Sequence, residues 1–422
     1  MRDILNFWTE LSLWKKVTIG LVLGIITGLV FGEKAANLKI IGEIFMRLIQ
    51  MVIVPLIYIS IVTAIINVED TSKLSRITIK AFVLFILTTC VAVAVGLILT
   101  SLFNPGGSID PQMLSLKALG ESAAEVNVLS PSKVMKDIIP ENALNALVSG
   151  NLLQVIFFSF FTGFVINLLS AERKTMVKVF SLGFKIVFKM IEMILKLAPY
   201  GAFGFAAAIV GEQGVNVLQS LGALMLVFLL VIVVQYLVFG VFILFSGLSP
   251  LPFYKKSIAY QALAFSTSSS KATLPTTMRV CSEKMGISKT NTSFVLPLGA
   301  AINMNGTSIY LGVCALFFAQ IYNIDLTLMD YILIIFTSTL GSIGAAGVPC
   351  GSIIMLPMVL SSINVPIEGI ALIVGIDRVL DMFRTTLNIT GDAAVTLMVD
   401  RSEGTLDEKI YYSAKGRKKL KS

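Results

Sequence analysis

Residues 377–392 read DRVLDMFRTTLNITGD and lie inside an otherwise apolar segment of about residues 366–399. The polar residues of this stretch recur at intervals of four, three, four and four: Asp377, Asp381, Arg384, Asn388 and Asp392. At 3.6 residues per turn, these five side chains fall within an arc of roughly 80° on one helix face. The stretch therefore predicts a buried helix with a polar stripe, and the rest of the fold must surround it.

The charge of the stripe indicates function. Three carboxylates and one guanidinium leave an excess of about two negative charges, and charged groups inside a membrane are costly and usually functional. Protons, basic neighbours or bound cations must balance this excess. The alternative is a structural ion pair such as Asp381–Arg384, which explains one pair but not the whole stripe. Arg378 stands roughly 100° away from the stripe.

The composition places the chain in a membrane. Of its 422 residues, 56% are hydrophobic and only 14% are charged, and the mean hydropathy is +0.87. Soluble globular chains carry about 25% charged residues. These values exclude a soluble enzyme, a disordered chain and a fibrous protein. They predict an all-α polytopic membrane protein.

Absent and scarce residues exclude several kinds of chemistry. The sequence has no His, which excludes a Ser-His-Asp triad and His-ligated zinc or haem. Its four cysteines lie in apolar surroundings without CxxC spacing, and they are interpreted as buried hydrophobic residues. The net charge of +8 is attributed to basic cytoplasmic loops, so no nucleic-acid partner is expected.

Apolar runs predict the first six spans, at about residues 17–32, 40–68, 80–103, 152–170, 176–211 and 217–247. The run at 176–211 is amphipathic, which favours a face at a water interface or against another subunit. Basic clusters follow the second and fourth runs and fill the C-terminal tail. By the positive-inside rule, both termini are expected in the cytoplasm.

Two later segments resemble broken crossings. Residues 263–278 read LAFSTSSSKATLPTTM, and residues 339–355 read TLGSIGAAGVPCGSIIM. Each places a tract of small residues before a Pro, and paired interruptions at matching places indicate a transporter site within internal repeats. Two surface loops are the alternative, but neither first arm reaches the about 20 apolar residues of a full span. We therefore expect two re-entrant helical hairpins.

A second polar cluster, Asn303–Thr307 (NMNGT), interrupts the apolar segment of about residues 292–319. Asn and Gly are poor helix formers, so an unwound turn is expected here. Its free carbonyl groups would be good Na⁺ ligands. Taken alone the cluster could be a simple kink, but beside the stripe and the two hairpins it favours a cation site.

In combination, these motifs resemble the dicarboxylate/amino acid:cation symporters, the glutamate and aspartate transporters. The resemblance rests on SSS before TLP, NMNGT, GVP in the second broken segment and DMFRTTLNITGD. It extends from the first span to Asp392. It implies eight transmembrane helices, two re-entrant hairpins and inverted repeats. It also implies a homotrimer in which each subunit works as an elevator.

The resemblance further implies a division into two domains and a tail. The scaffold, which forms the trimer, would comprise residues 1–79 and 104–211. The transport domain would comprise residues 80–103 and 212–400, including the hairpins at 252–284 and 326–363. Residues 401–422 would form a basic cytoplasmic tail.

The substrate site implied by the resemblance centres on two residues of the stripe. Arg384 would bind the side-chain carboxylate of the substrate, because a planar guanidinium suits a bidentate carboxylate. Asp381 would bind the α-amino group, so an acidic amino acid is indicated. The remaining contacts would come from Asn388, Thr385, Thr307, Ser268, Ser270, Gly347 and Val348.

Na⁺ would be the coupling ion, and no other cofactor is expected. The resemblance implies three sets of cation ligands: Gly299, Asn303, Asn388 and Asp392 in the first; Ala301, Ser342, Ile343 and Ala345 in the second; Thr88, Thr89 and Asn305 in the third. Relatives usually carry Asp at the position of Asn305. A hard cation prefers a carboxylate, so the third site should be weak.

Three further departures from the family pattern concern charge. Relatives carry an Arg at the place of Ser268 or of Met382, and this chain has neither. Lys271 or Arg378 could supply that positive charge; alternatively, Lys271 extends to water. Leu311 replaces a Glu that animal relatives link to proton and potassium coupling, so no such counter-transport is expected.

The sequence leads to three hypotheses for the function. The first is Na⁺-driven import of aspartate or glutamate across the plasma membrane, and the second is the same import driven by protons. The third is an intramembrane aspartyl protease. That chemistry needs two facing carboxylates, whereas the deep carboxylates here all lie on one predicted helix.

Overall fold

A computed structural model describes residues 11, 13–66, 72–107, 139–150, 152–169, 172–213, 216–345, 351–367 and 369–413. Within these ranges the regular structure is helical and no strand occurs. The all-α prediction is therefore confirmed for the described residues.

The first half of the chain forms the helices α1 to α8, with a 3₁₀ segment at Gly32–Leu38 between the first two. Their bounds are α1 Leu13–Phe31, α2 Lys39–Ile66, α3 Ser72–Phe103, α4 Ala143–Ser149, α5 Leu152–Leu168, α6 Arg173–Leu195, α7 Ala198–Gln213 and α8 Asn216–Phe245. The short helix α4 begins at an N-cap, Asn142, whose side chain accepts hydrogen bonds from two backbone amides.

The second half forms the helices α9 to α16. Their bounds are α9 Pro250–Thr267, α10 Ser270–Glu283, α11 Lys289–Ile302, α12 Asn305–Ile321, α13 Leu328–Gly344, α14 Gly351–Ser362, α15 Ile370–Ser402 and α16 Glu408–Tyr412. The polar stripe lies on α15. The two broken segments form the helix pairs α9/α10 and α13/α14.

Four stretches of the described chain are long and apolar enough to cross a membrane: Lys15–Phe45, Arg76–Phe103, Leu218–Phe245 and Lys289–Ile321. Shorter apolar helices cover Phe157–Leu168, Leu328–Ile343 and Gly351–Ser362, among others. These helices fit a membrane protein. The eight spans, the re-entrant hairpins and the elevator stay predictions.

One predicted run is wrong in its bounds. Residues 176–211 form two helices, α6 and α7. Lysines recur along α6 and make it amphipathic, whereas α7 contains no lysine. The break falls just before Pro199, whose ring has no N–H and clashes with a helix continuing from the preceding turn. Backbone amides of Tyr200 and Gly201 instead bond to the carbonyl of Leu197.

Two other helices extend past the predicted ends. The third helix begins at Ser72 rather than near residue 80, and the stripe helix continues to Ser402. Polar residues at both ends face polar partners: Lys80 pairs with Glu403 at 2.5 Å, and Arg76 also pairs with Glu403. Apolar runs in the sequence mark the membrane-depth part of such helices but not their polar ends.

The helices pack in two groups. In the first, α1 and α2 pack against α7, and α2 also contacts α5 and α6. Small residues permit this close approach, because a Cβ added at Gly24 would lie 2.5 Å from the carbonyl oxygen of Phe203. In the second group, α15 contacts α8, α9, α11 and α12, while α3 packs against α12. The polar stripe thus lies at the centre of the second group.

Several sequence predictions fall outside the described residues. They concern residues 1–10 and 108–138 of the predicted scaffold, residues 346–350 of the second broken segment with Gly347 and Val348, and residues 414–422 of the basic tail.

Candidate functional site

The first helix break presents serines to the centre of the second group. Helix α9 ends at Thr267, and its C-cap Ser268, with a φ of +49°, reverses the chain. Ser269 is the N-cap of α10. Ser268 and Ser270 are both buried. Small polar residues suit this point, because backbone that leaves the helix needs local hydrogen-bonding partners.

The other helix break that contributes to the site is the NMNGT cluster, where α11 and α12 are separated at Asn303 and Met304. The predicted unwound turn is present, although Asn305, Gly306 and Thr307 belong to the following helix. The Asn388 side chain caps that helix, since its Oδ1 accepts from the Gly306 amide at 2.7 Å and from the Thr307 amide at 3.4 Å. The stripe helix therefore fixes the start of α12.

A buried cavity lies between these breaks, with a volume of about 10 Å³ for the centre of a water molecule. That is room for about one water. Its lining comes from both breaks, from α13 and α14, and from the stripe: Ser268, Ser270, Met304, Thr307, Ala345, Ser352, Asp381, Thr385 and Asn388. Six of these were predicted substrate ligands, and Ala345 was predicted as a cation ligand.

Arg384 lies behind the cavity and not on its surface. Its Nη1 donates to Asp377 at 2.6 Å and its Nη2 to Asp381 at 3.1 Å. The guanidinium carbon lies 4.0 Å from the centre of the Tyr310 ring, a cation–π geometry. Arg384 is fully buried. To bind a substrate carboxylate, it would have to exchange one of these aspartates for the ligand.

Arg378 and Lys271 occupy different surroundings. Arg378 reaches the stripe despite its angular offset, because its Nη1 donates to Asp381 Oδ2 at 3.1 Å. Lys271 instead lies 4.6 Å above the ring of Phe184, a residue of α6 in the first packing group. Between these two residues, the positive charge beside Asp381 therefore comes from Arg378.

The first predicted cation set includes the most poorly paired carboxylate on the stripe. Asp392 is fully buried, and Asn303 Nδ2 donates to its Oδ1 at 2.8 Å. Its Oδ2 has no hydrogen-bond partner among the described residues. Gly299 lies directly opposite, where an added Cβ would be 2.7 Å from Asp392 Oδ1. A buried carboxylate in this state is costly without a counter-charge.

In the third predicted set of cation ligands, the Asn305 side-chain amide bonds to both threonines. Asn305 Nδ2 donates to Thr88 Oγ1 at 3.3 Å and to Thr89 Oγ1 at 3.2 Å. Thr89 also donates to Asn303 Oδ1 at 3.4 Å, so it links the third set to the first. The N–H groups of Asn305 are directed at the hydroxyl oxygens that a cation would need.

The second predicted set lies where α11 and α13 end. Ser342, Ile343 and Ala345 are buried at the end of α13, and Ala301 is half-buried near the end of α11. The Ser342 hydroxyl donates to the carbonyl of Thr339 at 2.7 Å. Helices α11 and α13 contact each other, which brings the two halves of this set to neighbouring positions.

The sequence prediction gave no specific role in the site to several residues. Met304 and Ser352 line the cavity, and the Tyr310 ring packs against Arg384. Asp377 forms the shorter of the two ion pairs that Arg384 makes. Asp377 stood on the predicted stripe, and its spacing of seven from Arg384 placed both on one face. Tyr310 carried no such signal, because it lies in an apolar run.

Comparison with known proteins identifies the class of this site. The model of the sodium:dicarboxylate symporter family matches residues 13–402. The chain belongs to this family. The symporter is 33% identical over 409 residues to a C4-dicarboxylate transport protein of Rhodospirillum rubrum, covering 96% of the chain and 91% of the relative.

The relatives are named for two kinds of substrate. A proton/sodium-glutamate symport protein of Bacillus caldotenax is 32% identical over 412 residues, covering 95% of the symporter and 96% of the relative. A C4-dicarboxylate transport protein of Brucella anthropi is 34% identical over 399 residues, covering 94% and 90%. The predicted resemblance is confirmed: the protein is a membrane transporter and not an enzyme, which excludes the protease.

Proposed function

We propose that this symporter imports an acidic amino acid, aspartate or glutamate, across the plasma membrane together with Na⁺. The observation that carries the proposal is the pairing of Asp381, on the cavity wall, with Arg384 directly behind it. A carboxylate and a guanidinium 3.1 Å apart match the ammonium and side-chain carboxylate of an acidic amino acid.

Substrate binding in this proposal exchanges internal ion pairs for ligand contacts. Arg384 would turn from Asp377 towards the substrate carboxylate, while Asp381 would accept the ammonium group. Thr307, Thr385, Asn388 and the serines of the first break would supply hydrogen bonds. The small cavity requires such a rearrangement, and the second helix pair with Gly347 and Val348 would close over the substrate as a lid.

The coupling ion would bind at Asp392. Asn303 and the backbone carbonyl of Gly299 would complete the site. Asn388 would contribute its backbone carbonyl, because its side chain already caps α12. A cation there would neutralise the buried carboxylate and order the neighbouring helix ends. A binding coupling of about 1–3 kcal/mol per ion would favour the loaded symporter.

One observation favours a second candidate, import driven by protons. Asn305 lacks the charge that a third Na⁺ would need, and its amide already bonds to Thr88 and Thr89. Under this candidate the deep carboxylates would carry protons instead of holding Na⁺. Asn305→Asp would restore the charge, and we expect Na⁺ dependence to rise by about tenfold. Unchanged Na⁺ dependence would remove this account of the third set.

The two packing groups support a proposed division into a scaffold and a moving transport domain. The group around α1, α2 and α7 would be the scaffold and would form a homotrimer. The group around α15 would move as an elevator through the bilayer. Both termini would lie in the cytoplasm, as the basic clusters favour.

Uptake of labelled L-aspartate into proteoliposomes tests the proposal. An inward Na⁺ gradient should drive uptake, and a choline control should not. Arg384→Ala should abolish binding of acidic substrates, while Asp381→Ser should remove the preference for an amino group. Uptake with a proton gradient alone would favour the second candidate, and failure to transport aspartate under either gradient would contradict both.

A further inference from the structure

Two guanidinium groups hold Asp381, one on each oxygen. Arg384 Nη2 donates to Oδ1 and Arg378 Nη1 to Oδ2, both at 3.1 Å. Asp381 is the carboxylate that faces the cavity, whereas neither arginine lines it. Any ligand in the cavity therefore meets Asp381 with its charge already shared between two cations.

The charges of this cluster sum to zero. Asp377 and Asp381 contribute two negative charges, and Arg378 and Arg384 contribute two positive ones. The Arg378 side chain is 13% exposed, so water screens its charge only in part. Without Arg378, the same cluster would carry one net negative charge next to the cavity.

That balance changes which ligand the cavity favours. Without Arg378, Asp381 and Asp377 share Arg384 alone. The excess negative charge then attracts an ammonium group and repels a second carboxylate, because like charges at close range in a low-dielectric site are strongly unfavourable. A paired Asp381 still has lone pairs that can accept an ammonium hydrogen. It repels a dicarboxylate that has no amino group much less.

We propose that Arg378 is a specificity-determining residue that acts through Asp381. It lets the symporter bind dicarboxylates without an amino group in addition to acidic amino acids, by neutralising the carboxylate that would otherwise demand an ammonium group. This inference rests on the proposed function, because it assumes that the cavity binds aspartate. Arg378 is a positioning and charge-balancing residue and touches no substrate.

Displacement of labelled L-aspartate from the purified full-length symporter tests the inference, at saturating NaCl and neutral pH. Unlabelled L-aspartate and succinate serve as the two competitors. The readout is the ratio of their half-displacing concentrations, which a general loss of folding does not move. Wild-type protein should bind both.

Arg378→Gln should raise the succinate-to-aspartate ratio about tenfold or more, which corresponds to about 1.4 kcal/mol. Arg378→Lys keeps the charge and should return the ratio to within about threefold of wild type. Arg401→Gln is the matched control, since Arg401 lies on the same helix and pairs with Glu408 away from the cavity. It should leave the ratio unchanged.

A double variant tests the route of the effect. In an Asp381→Asn background, Arg378→Gln should no longer change the ratio, because the charge that Arg378 balances is gone. A ratio that stays within about twofold of wild type in Arg378→Gln would overturn the inference. So would aspartate binding without any succinate binding in wild type. Absence of aspartate binding in wild type would instead overturn the proposed function, and this inference with it.

Discussion

Asp392 and Asp400 lie eight residues apart on α15 and are both fully buried, yet their surroundings are opposite. Asp400 accepts hydrogen bonds from the amide and hydroxyl of Ser288, from Asn291 and from Thr405, at 2.5–3.1 Å. Asp392 accepts one, from Asn303. The protein supplies every partner for Asp400 and leaves one oxygen of Asp392 to something else.

The comparison separates a carboxylate whose partners the protein supplies from the carboxylate that we propose as the cation ligand, on the same helix. Asp400 joins the end of α15 to the first turn of α11, because Ser288 is the N-cap of that helix. Asp392 faces the other end of α11, where the chain unwinds at Asn303. One helix pair is therefore held firmly at one end and keeps an unsatisfied carboxylate at the other.

The largest expected effect is that of Asp392→Asn on coupling. The amide keeps the shape of the side chain and removes the charge, so Na⁺-driven aspartate uptake should fall by about 100-fold. Thermal stability without Na⁺ should stay the same or rise, because a poorly paired buried charge is removed. Normal Na⁺-driven uptake by this variant would break the comparison.

Asp400→Asn should give the reverse pattern. Its amide nitrogen cannot accept the hydrogen bonds that reach Asp400, so the unfolding free energy should fall by about 3 kcal/mol. Thermal unfolding of the detergent-solubilised protein measures this loss. The Na⁺ concentration that half-saturates uptake should change little in the protein that remains folded. A large shift in that concentration, with stability intact, would assign Asp400 to the cation site.

Gly299→Ala sharpens the assignment of the cation site. The added Cβ would lie 2.7 Å from Asp392 Oδ1 and would push this carboxylate out of position, so Na⁺ affinity should fall about tenfold. Gly222→Ala on α8 is the matched control, because its Cβ would meet no atom within 4 Å. Equal effects of the two substitutions on Na⁺ dependence would contradict a cation at Asp392.

The smallest expected effect concerns pH at the end of α15. Hydrogen bonds from Lys80 and then Arg76 lower the pKa of the Glu403 carboxyl below its ordinary value. A lowered pKa in the folded state means that this contribution to stability is fully present above about pH 4.5. It is lost as the pH falls through the folded-state pKa.

Thermal unfolding of wild type and Glu403→Gln between pH 7 and pH 3 measures this effect. The two proteins should differ slightly at pH 7 and converge at the acidic end. A difference that grows on acidification would contradict the assignment of Glu403 to these ion pairs.

The sequence predicts the stripe and the helix breaks because both depend on local rules. Helical period places Asp377 to Asp392 on one face, and the poor helix formers at Asn303 and Asn305 mark the break. Both features are present in the structure. Composition and the long apolar runs together predict the all-helical membrane class.

The partners of the polar residues on α15 could not be predicted, because they come from distant parts of the chain. Ser288 and Asn291 meet Asp400 across more than 100 residues, and Tyr310 meets Arg384 from an apolar helix. Arg378 lies on a different side of the helix from the stripe, but its long side chain reaches Asp381. Asp400 itself lay just past the predicted end of the span. It follows Asp392 by eight residues on the same helix and so continues the interval of four that the stripe shows.

The Na⁺ dependence of L-aspartate affinity in wild type, Asp392→Asn and Asp400→Asn tests the central claim most directly. Affinity is measured by titration over a range of NaCl concentrations at constant ionic strength. The slope of log affinity against log Na⁺ concentration reports the number of ions bound with the substrate. We predict that Asp392→Asn lowers this slope by about one ion while Asp400→Asn leaves it unchanged. An unchanged slope in Asp392→Asn, or the same loss in both variants, would contradict the account.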